Sequence, residues 1–150
     1  MAGTNNVSVR LPAGNDAELA TGIAQGVEAI IQRCKKQAPE ATIVLMGITP
    51  RNDNMAFMPV IGRVNARLAQ LANGHKLRFV NINDRLADAQ GRLLDGMTDP
   101  DLLHLAPQGY AVWADALRPV LTELLGAPAA TDSAPPPTGD PSAVSPERQR

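Results

Sequence analysis

The sequence predicts an α/β fold, a parallel sheet layered with helices. Two observations carry this. Residues 42–48 form an unbroken apolar, largely β-branched run, Thr42-Ile43-Val44-Leu45-Met46-Gly47-Ile48, the mark of a strand buried on both faces of a parallel sheet. Three longer stretches instead repeat apolar residues every three or four positions, as amphipathic helices do. The resulting order, loop–helix–strand–helix–strand–loop–helix, belongs to α/β layering.

The first helix is expected over Asp16–Gln37. Asn15 stands at its N-cap position and Glu18 three residues on, a capping box. Leu19, Ile23, Val27, Ile30 and Cys34 make its apolar stripe. The strand over 42–48 follows. A second helix is expected from Pro59, a residue suited to a first turn, to Asn73, with Gly74 just beyond its end. Its stripe is Ile61, Val64, Leu68 and Leu71. Leu77-Arg78-Phe79-Val80-Asn81-Ile82 reads as a second, more amphipathic strand. The last helix is expected over Pro107–Leu125, with Tyr110, Trp113, Leu117, Val120, Leu121 and Leu124 facing inward and a bend at Pro119. Two strands make a thin sheet, so the expectation is either an incomplete chain or a sheet edge paired with something else.

With 150 residues there is room for one domain. From Ala127 to Arg150 the chain has no Leu, Ile, Met, Phe, Tyr or Trp, and contains Pro135-Pro136-Pro137. Such a segment cannot offset the entropy of ordering it, so residues 127–150 are expected to be a disordered tail and 1–126 the folded part. Fourteen basic and fifteen acidic residues leave a net charge of -1, which offers no long-range field for nucleic acid or an anionic membrane. Aromatics at 3% give few stacking platforms for bases. The single cysteine, Cys34, excludes an internal disulfide and a Cys-rich metal site and is expected to be a buried apolar residue. No apolar run is long enough to span a bilayer. No Gly-rich phosphate loop is present, which argues against a nucleotide-binding domain.

Two segments carry chemistry. One is Gly3-Thr4-Asn5-Asn6, which alone is an ordinary turn composition. The other is Asp101-Leu102-Leu103-His104, in a loop directly before the last helix. A carboxylate three residues before an imidazole can curl back to accept a hydrogen bond from Nδ1. That fixes the tautomer, leaves Nε2 as a base and stabilises the imidazolium that forms. A turn-capping aspartate with a histidine nearby is the other reading of the same spacing. Arg51 and Asn52 follow the first strand's C-terminal end, where α/β sheets place their ligands, so they line either the same cleft or a solvated loop. His75, in a helix-to-strand loop, is expected at the surface.

The run from Asp101 to Trp113, with Pro107, Gly109 and Tyr110 in its middle, resembles the last block of the SGNH (GDSL-type) hydrolases. The branch related to platelet-activating factor acetylhydrolase is most similar. Gly3–Asn6 matches its Gly-Thr-Asn-Asn block, and Leu45-Met46-Gly47-Ile48-Thr49-Pro50-Arg51 matches a Leu-x-Gly-Ile-x-Pro-Arg segment, all in the right order. The resemblance implies a three-layer, flavodoxin-like fold with helices on both faces of the sheet, a small-molecule ester substrate and no cofactor or metal. It implies His104 as general base, Asp101 as its orienting partner, and Asn5 as a donor to the oxyanion. Gly3 would let the backbone pass close to the site, with Thr4, Asn6 and Arg51 around it; Asn6 stands where the wider family commonly has Asp. A homo-oligomer is compatible with the resemblance.

The family's opening blocks, which hold the Gly-Asp-Ser nucleophile and an oxyanion-hole glycine, have no counterpart here. No Gly-Asp-Ser occurs in the sequence, and Ser8, the serine nearest Asn5, is not set in a strand-to-helix elbow. The expectation is therefore the C-terminal part of an SGNH domain, its N-terminal strands missing, with little turnover of its own. It hydrolyses acetyl or other short-acyl esters of sugars or lipid-like alcohols only with its nucleophile block. The alternative is a noncatalytic interaction module that binds a partner along the sheet edge. Ala106, where Ser or Thr often caps the last helix, costs about 1 kcal/mol of capping.

Overall fold

The computed structural model describes residues 3–8 and 15–131. Helix α1 spans Asp16–Gln37, strand β1 Ile43–Met46, helix α2 Met58–Leu71, strand β2 Leu77–Val80, the short helix α3 Asn83–Leu86 and helix α4 Pro107–Leu125. Strands β1 and β2 pair in parallel, with Ile43 opposite Leu77 and Met46 opposite Val80. The chain between them carries α2, the crossover that parallel strands require.

Because side chains alternate along a strand, each face receives its own helices. Ile43, Leu45, Leu77 and Phe79 point to a core built by α1 and α2, where Ala20, Ile23, Val27, Ile31, Ile61, Val64 and Leu68 are buried. Met46 and Val80 point the other way, to a smaller core of Ile82, Leu86, Met97 and Leu105 covered by Val112, Trp113 and Ala116 of α4. The three-layer α/β arrangement expected from the sequence is the one observed. Arg78 of β2 grips Glu123 of α4 through two bonds of 3.0 and 2.6 Å, an exposed pair worth little by itself.

Several local expectations are corrected. Asn15 holds the N-cap position, but its side chain caps nothing; only its carbonyl accepts, from Leu19 N–H. On α1 the stripe turns toward Ala20, Ala24 and Ile31, leaving Ile30 and Cys34 exposed. The α2 neighbour covers only part of the face that the three-four spacing allows. β1 is half-buried along its length rather than buried, since no strand pairs with its second edge among the described residues. β2 ends at Val80, and Asn83–Leu86 turn into a helix. α4 runs unbroken through Pro119, but of its residues only Gly109 is fully buried; Tyr110 and Leu121 are exposed and Leu125 is 81% exposed. Residues 127–131 are exposed and outside any helix or strand; the rest of the expected tail lies outside the described residues.

The exit of β1 positions everything that follows. Gly47 N–H still bonds Val80 as part of the ladder. Beyond it, Ile48 has no strand opposite, and the buried carboxamide of Asn65 on α2 replaces one: it accepts from Ile48 N–H at 2.8 Å and donates to Ile48 carbonyl at 2.8 Å. Asn83 donates to the same carbonyl at 3.0 Å. Gly47 fits tightly there: a Cβ would come within 3.2–3.3 Å of the Asn81 and Asn65 side chains, which would have to give by a few tenths of an ångström. Asn65→Leu keeps the bulk and strips the bonds, leaving Ile48 N–H buried without a partner. A loss of about 2–3 kcal/mol in urea unfolding is expected, a buried unmet donor or acceptor costing about 1–3 kcal/mol.

Candidate active site

Three segments converge beyond the C-terminal ends of the strands, the place where open α/β sheets hold ligands. The first is the turn 3–8. Asn6 N–H closes it on Gly3 carbonyl at 3.0 Å, and Val7 pins it in the α1–α2 core. Gly3 has φ +97, and a Cβ on it would stand 2.8 Å from Ile48 Cδ1. The left-handed backbone favours glycine, and a Cβ would also have to displace the tip of the Ile48 side chain.

The second is Thr49-Pro50-Arg51-Asn52. Arg51 is 6% exposed. Its guanidinium takes both oxygens of Asp53, at 2.8 and 2.6 Å, lies 4.9 Å over the Phe57 ring, and donates to Thr4 carbonyl at 2.8 Å. The paired Arg51 holds the Asp53 carboxyl below the ordinary carboxylate range, chiefly through their hydrogen bond. Arg51 therefore reaches the site through the backbone of Thr4 instead of lining it. Asn52 is a brace as well: its amide donates to Gly91 carbonyl, its oxygen accepts from Leu93 N–H, and its own N–H donates to Leu102 carbonyl.

The third is the loop before α4. Thr98 and Leu105 form an antiparallel bridge, and Asp99 N–H donates to His104 carbonyl at 2.8 Å, which closes the loop on itself. Leu102 takes φ +57, a left-handed conformation unusual for leucine. Inside this loop Asp101 Oδ1 accepts from the backbone N–H groups of Leu103 and His104, each at 3.0 Å, while Oδ2 lies 2.5 Å from His104 Nδ1. An ionised carboxylate only accepts, so Nδ1 carries a proton, and in the neutral ring Nε2 is then the nitrogen with the lone pair. The His104 bond, with the two backbone donors behind it, pulls the Asp101 carboxyl down to about 2.

These segments wall a pocket of about 350 Å³ lined by Thr4, Asn5, Thr49, Leu103, His104, Leu105, Tyr110 and Trp113. Of the residues singled out from the sequence, Thr4, Asn5 and His104 meet in it, and Asp101 stands behind His104. Gly3 supports the turn from beneath, and Asn6 is exposed outside the pocket lining. Thr49, Asn65 and Asn52 were not anticipated in these roles. Thr49 and Asn65 carry no motif of their own. Asn52 had a signal, its place just past a strand end, but not its bracing role.

Residues 1–112 match the model of the GDSL-like lipase/acylhydrolase family. The chain belongs to that family, the SGNH hydrolases. It is 29% identical over 117 residues to the human platelet-activating factor acetylhydrolase IB subunit alpha2, covering 74% of this chain and 49% of the relative. The bovine subunit alpha1 is 30% identical over 125 residues, 82% of this chain and 50% of the relative. The chain thus spans about half the length of the curated relatives it matches. Among solved structures, a Streptococcus pneumonia protein named for platelet activating factor superposes with a TM-score of 0.62 at 27% identity, covering 79% of this chain and 56% of that one. A Bacteroides fragilis protein described as an acylhydrolase gives 0.59 at 19% identity, over 77% and 60%, and bears on the fold alone.

In this SGNH chain the loop of His104 is locked to α4 at Gly109, where a Cβ would fall 2.2 Å from Met97 carbonyl oxygen. That carbonyl accepts from Ala106 N–H, so Gly109→Ala should force the loop and helix apart. A destabilisation of about 1–3 kcal/mol, the usual cost of overpacking, is expected by thermal unfolding, with the His104 ring resonances shifted. The pH behaviour of Asp101 is a second check. Its carboxyl is lower in the folded chain than its ordinary 3.8, so its contribution to stability is complete above about 4 and fades as pH falls toward about 2. A carbon-detected NMR titration should place its midpoint near 2, and His104→Ala should raise it.

Proposed function

We propose that this chain carries the base, its orienter and one oxyanion donor of a serine ester hydrolase acting on short-acyl esters, acetyl foremost. The observation behind it is the bond from His104 Nδ1 to Asp101 at 2.5 Å, set at a pocket that Asn5 shares. His104 Nε2 takes the proton of a serine hydroxyl as its oxygen bonds to the ester carbonyl carbon. Asp101 steadies the imidazolium. The Asn5 amide meets the charge that gathers on the carbonyl oxygen. His104 then passes the proton to the departing alcohol oxygen, leaving an acyl-serine, and water activated by the same Nε2 releases the acid. No metal or cofactor enters these steps.

The serine is the part this sequence does not offer. Its Gly-Asp-Ser motif is absent, and the Ser8 hydroxyl donates to Asn5 carbonyl at 2.7 Å and is not in the pocket wall. This reading assigns no residue of the sequence as the nucleophile and expects the chain alone to turn over little ester. The test supplies the family's nucleophile-bearing segment in trans and follows acetate release from a chromogenic ester. Activity should rise above that of the chain alone, vanish with His104→Ala, and fall about 10²–10³-fold with Asn5→Ala. An unchanged rate with His104→Ala overturns the base assignment, and efficient hydrolysis by the chain alone overturns the missing nucleophile.

A further inference from the structure

The pocket wall holds the only tryptophan and the only tyrosine of the chain, Trp113 and Tyr110. Three residues apart on the first turns of α4, they share a face. Their rings stack with centroids 5.9 Å apart and planes 17° apart, an offset arrangement that aromatic pairs favour. Trp113 is anchored from below, packed against the core of Ile82, Leu86, Met97 and Leu105. Tyr110 stays 54% exposed. The helix thus holds a flat ring open to the pocket on a fixed aromatic support, so little side-chain entropy is left to lose when a ligand covers it.

The rest of the wall decides what such a platform suits. Its aliphatic residues are Leu105, which is buried, and Leu103, which is half-buried, so a long alkyl chain finds little aliphatic surface. Asn5, Thr4 and Thr49 are short and polar. An aromatic face carries negative charge density that attracts polarised C–H groups. Aromatic face on one side and small polar groups on the other fit a ring with an apolar C–H face and hydroxyls at its rim. We propose that Tyr110 is the docking platform for the alcohol part of the ester and that this alcohol is a pyranose sugar, its acyl group directed toward His104. The acyl placement rests on the esterase reading above; the platform does not.

Because Trp113 is the sole tryptophan, its emission reports occupancy of the pocket without any turnover. The purified chain is titrated with mono-O-acetylated methyl glucosides, methyl glucoside itself, 1-acetylglycerol and dodecyl acetate below its aggregation limit. A saturable change is expected with an acetylated glucoside. Tyr110→Ala should weaken it about tenfold, the scale of one good aromatic contact, with Tyr110→Phe close to the parent and circular dichroism unchanged in both. Tighter binding of dodecyl acetate or acetylglycerol than of every glucoside overturns the proposal, as does a Tyr110→Ala variant that binds the glucosides normally, or no glucoside response at all. Plain methyl glucoside binding as tightly as the acetylated forms, with Tyr110 dependence intact, supports the platform while counting against the ester reading.

Discussion

One carboxamide sets the geometry of this molecule. Asn65 lies in the wall between α2 and the sheet and satisfies both backbone groups of Ile48, as a neighbouring strand would. Leaving either group buried and unpaired is costly, so the chain beyond β1 keeps to this path. On it, Ile48 presses against Gly3, Thr49 enters the pocket wall, and Arg51 comes within reach of Thr4 carbonyl. The turn that presents Asn5 is therefore held from two sides by residues whose path is set at Ile48, chiefly by Asn65, with Asn83 on the same carbonyl.

The opposite wall is built by a different device. The loop from Ala87 to Ala106 has two isolated bridges in place of regular structure. It is kept in shape by Asn52, by the turn bonds of Asp99 and Asp101, and by the close seat of Gly109 under Met97. Catalytic groups often ride on loops fixed by a rigid scaffold, and here the exposed Asp101–His104 pair sits on one whose backbone groups are bonded on both flanks. The left-handed Leu102 lies between those flanks, where its carbonyl accepts from Asn52. These bonds fix the His104 ring in place, which is what the proposed base role asks of it.

Much of the fold was legible because its signals are local. α1 and α4 begin and end at the residues their patterns named, and the β1–α2–β2 unit follows from alternating periods. Burial was less legible. Ile30, Cys34, Tyr110 and Leu121 repeat at helical spacing yet stay exposed, since periodicity names a face without saying whether anything packs on it. The Asn15 cap failed for a local reason: at φ -98 and ψ 23 its backbone lacks the extended conformation typical of an N-cap residue.

The sequence by itself determined the class of layers, the element order, and an aspartate close enough to a histidine to orient it, because each rests on residues within a few positions of one another. It also carried the motifs that place the chain among the SGNH hydrolases. The resemblance implied a shared site for Asn5 and His104, 99 positions apart in the sequence, and the tertiary structure placed both in the lining of one pocket. It alone showed that Arg51 serves by holding Thr4, and that Tyr110 faces open space rather than a core. Those outcomes depend on how α2 and α4 seat against the sheet. That seating is set by the summed packing of two cores and by the need to pair every buried backbone group, which no short window of sequence contains.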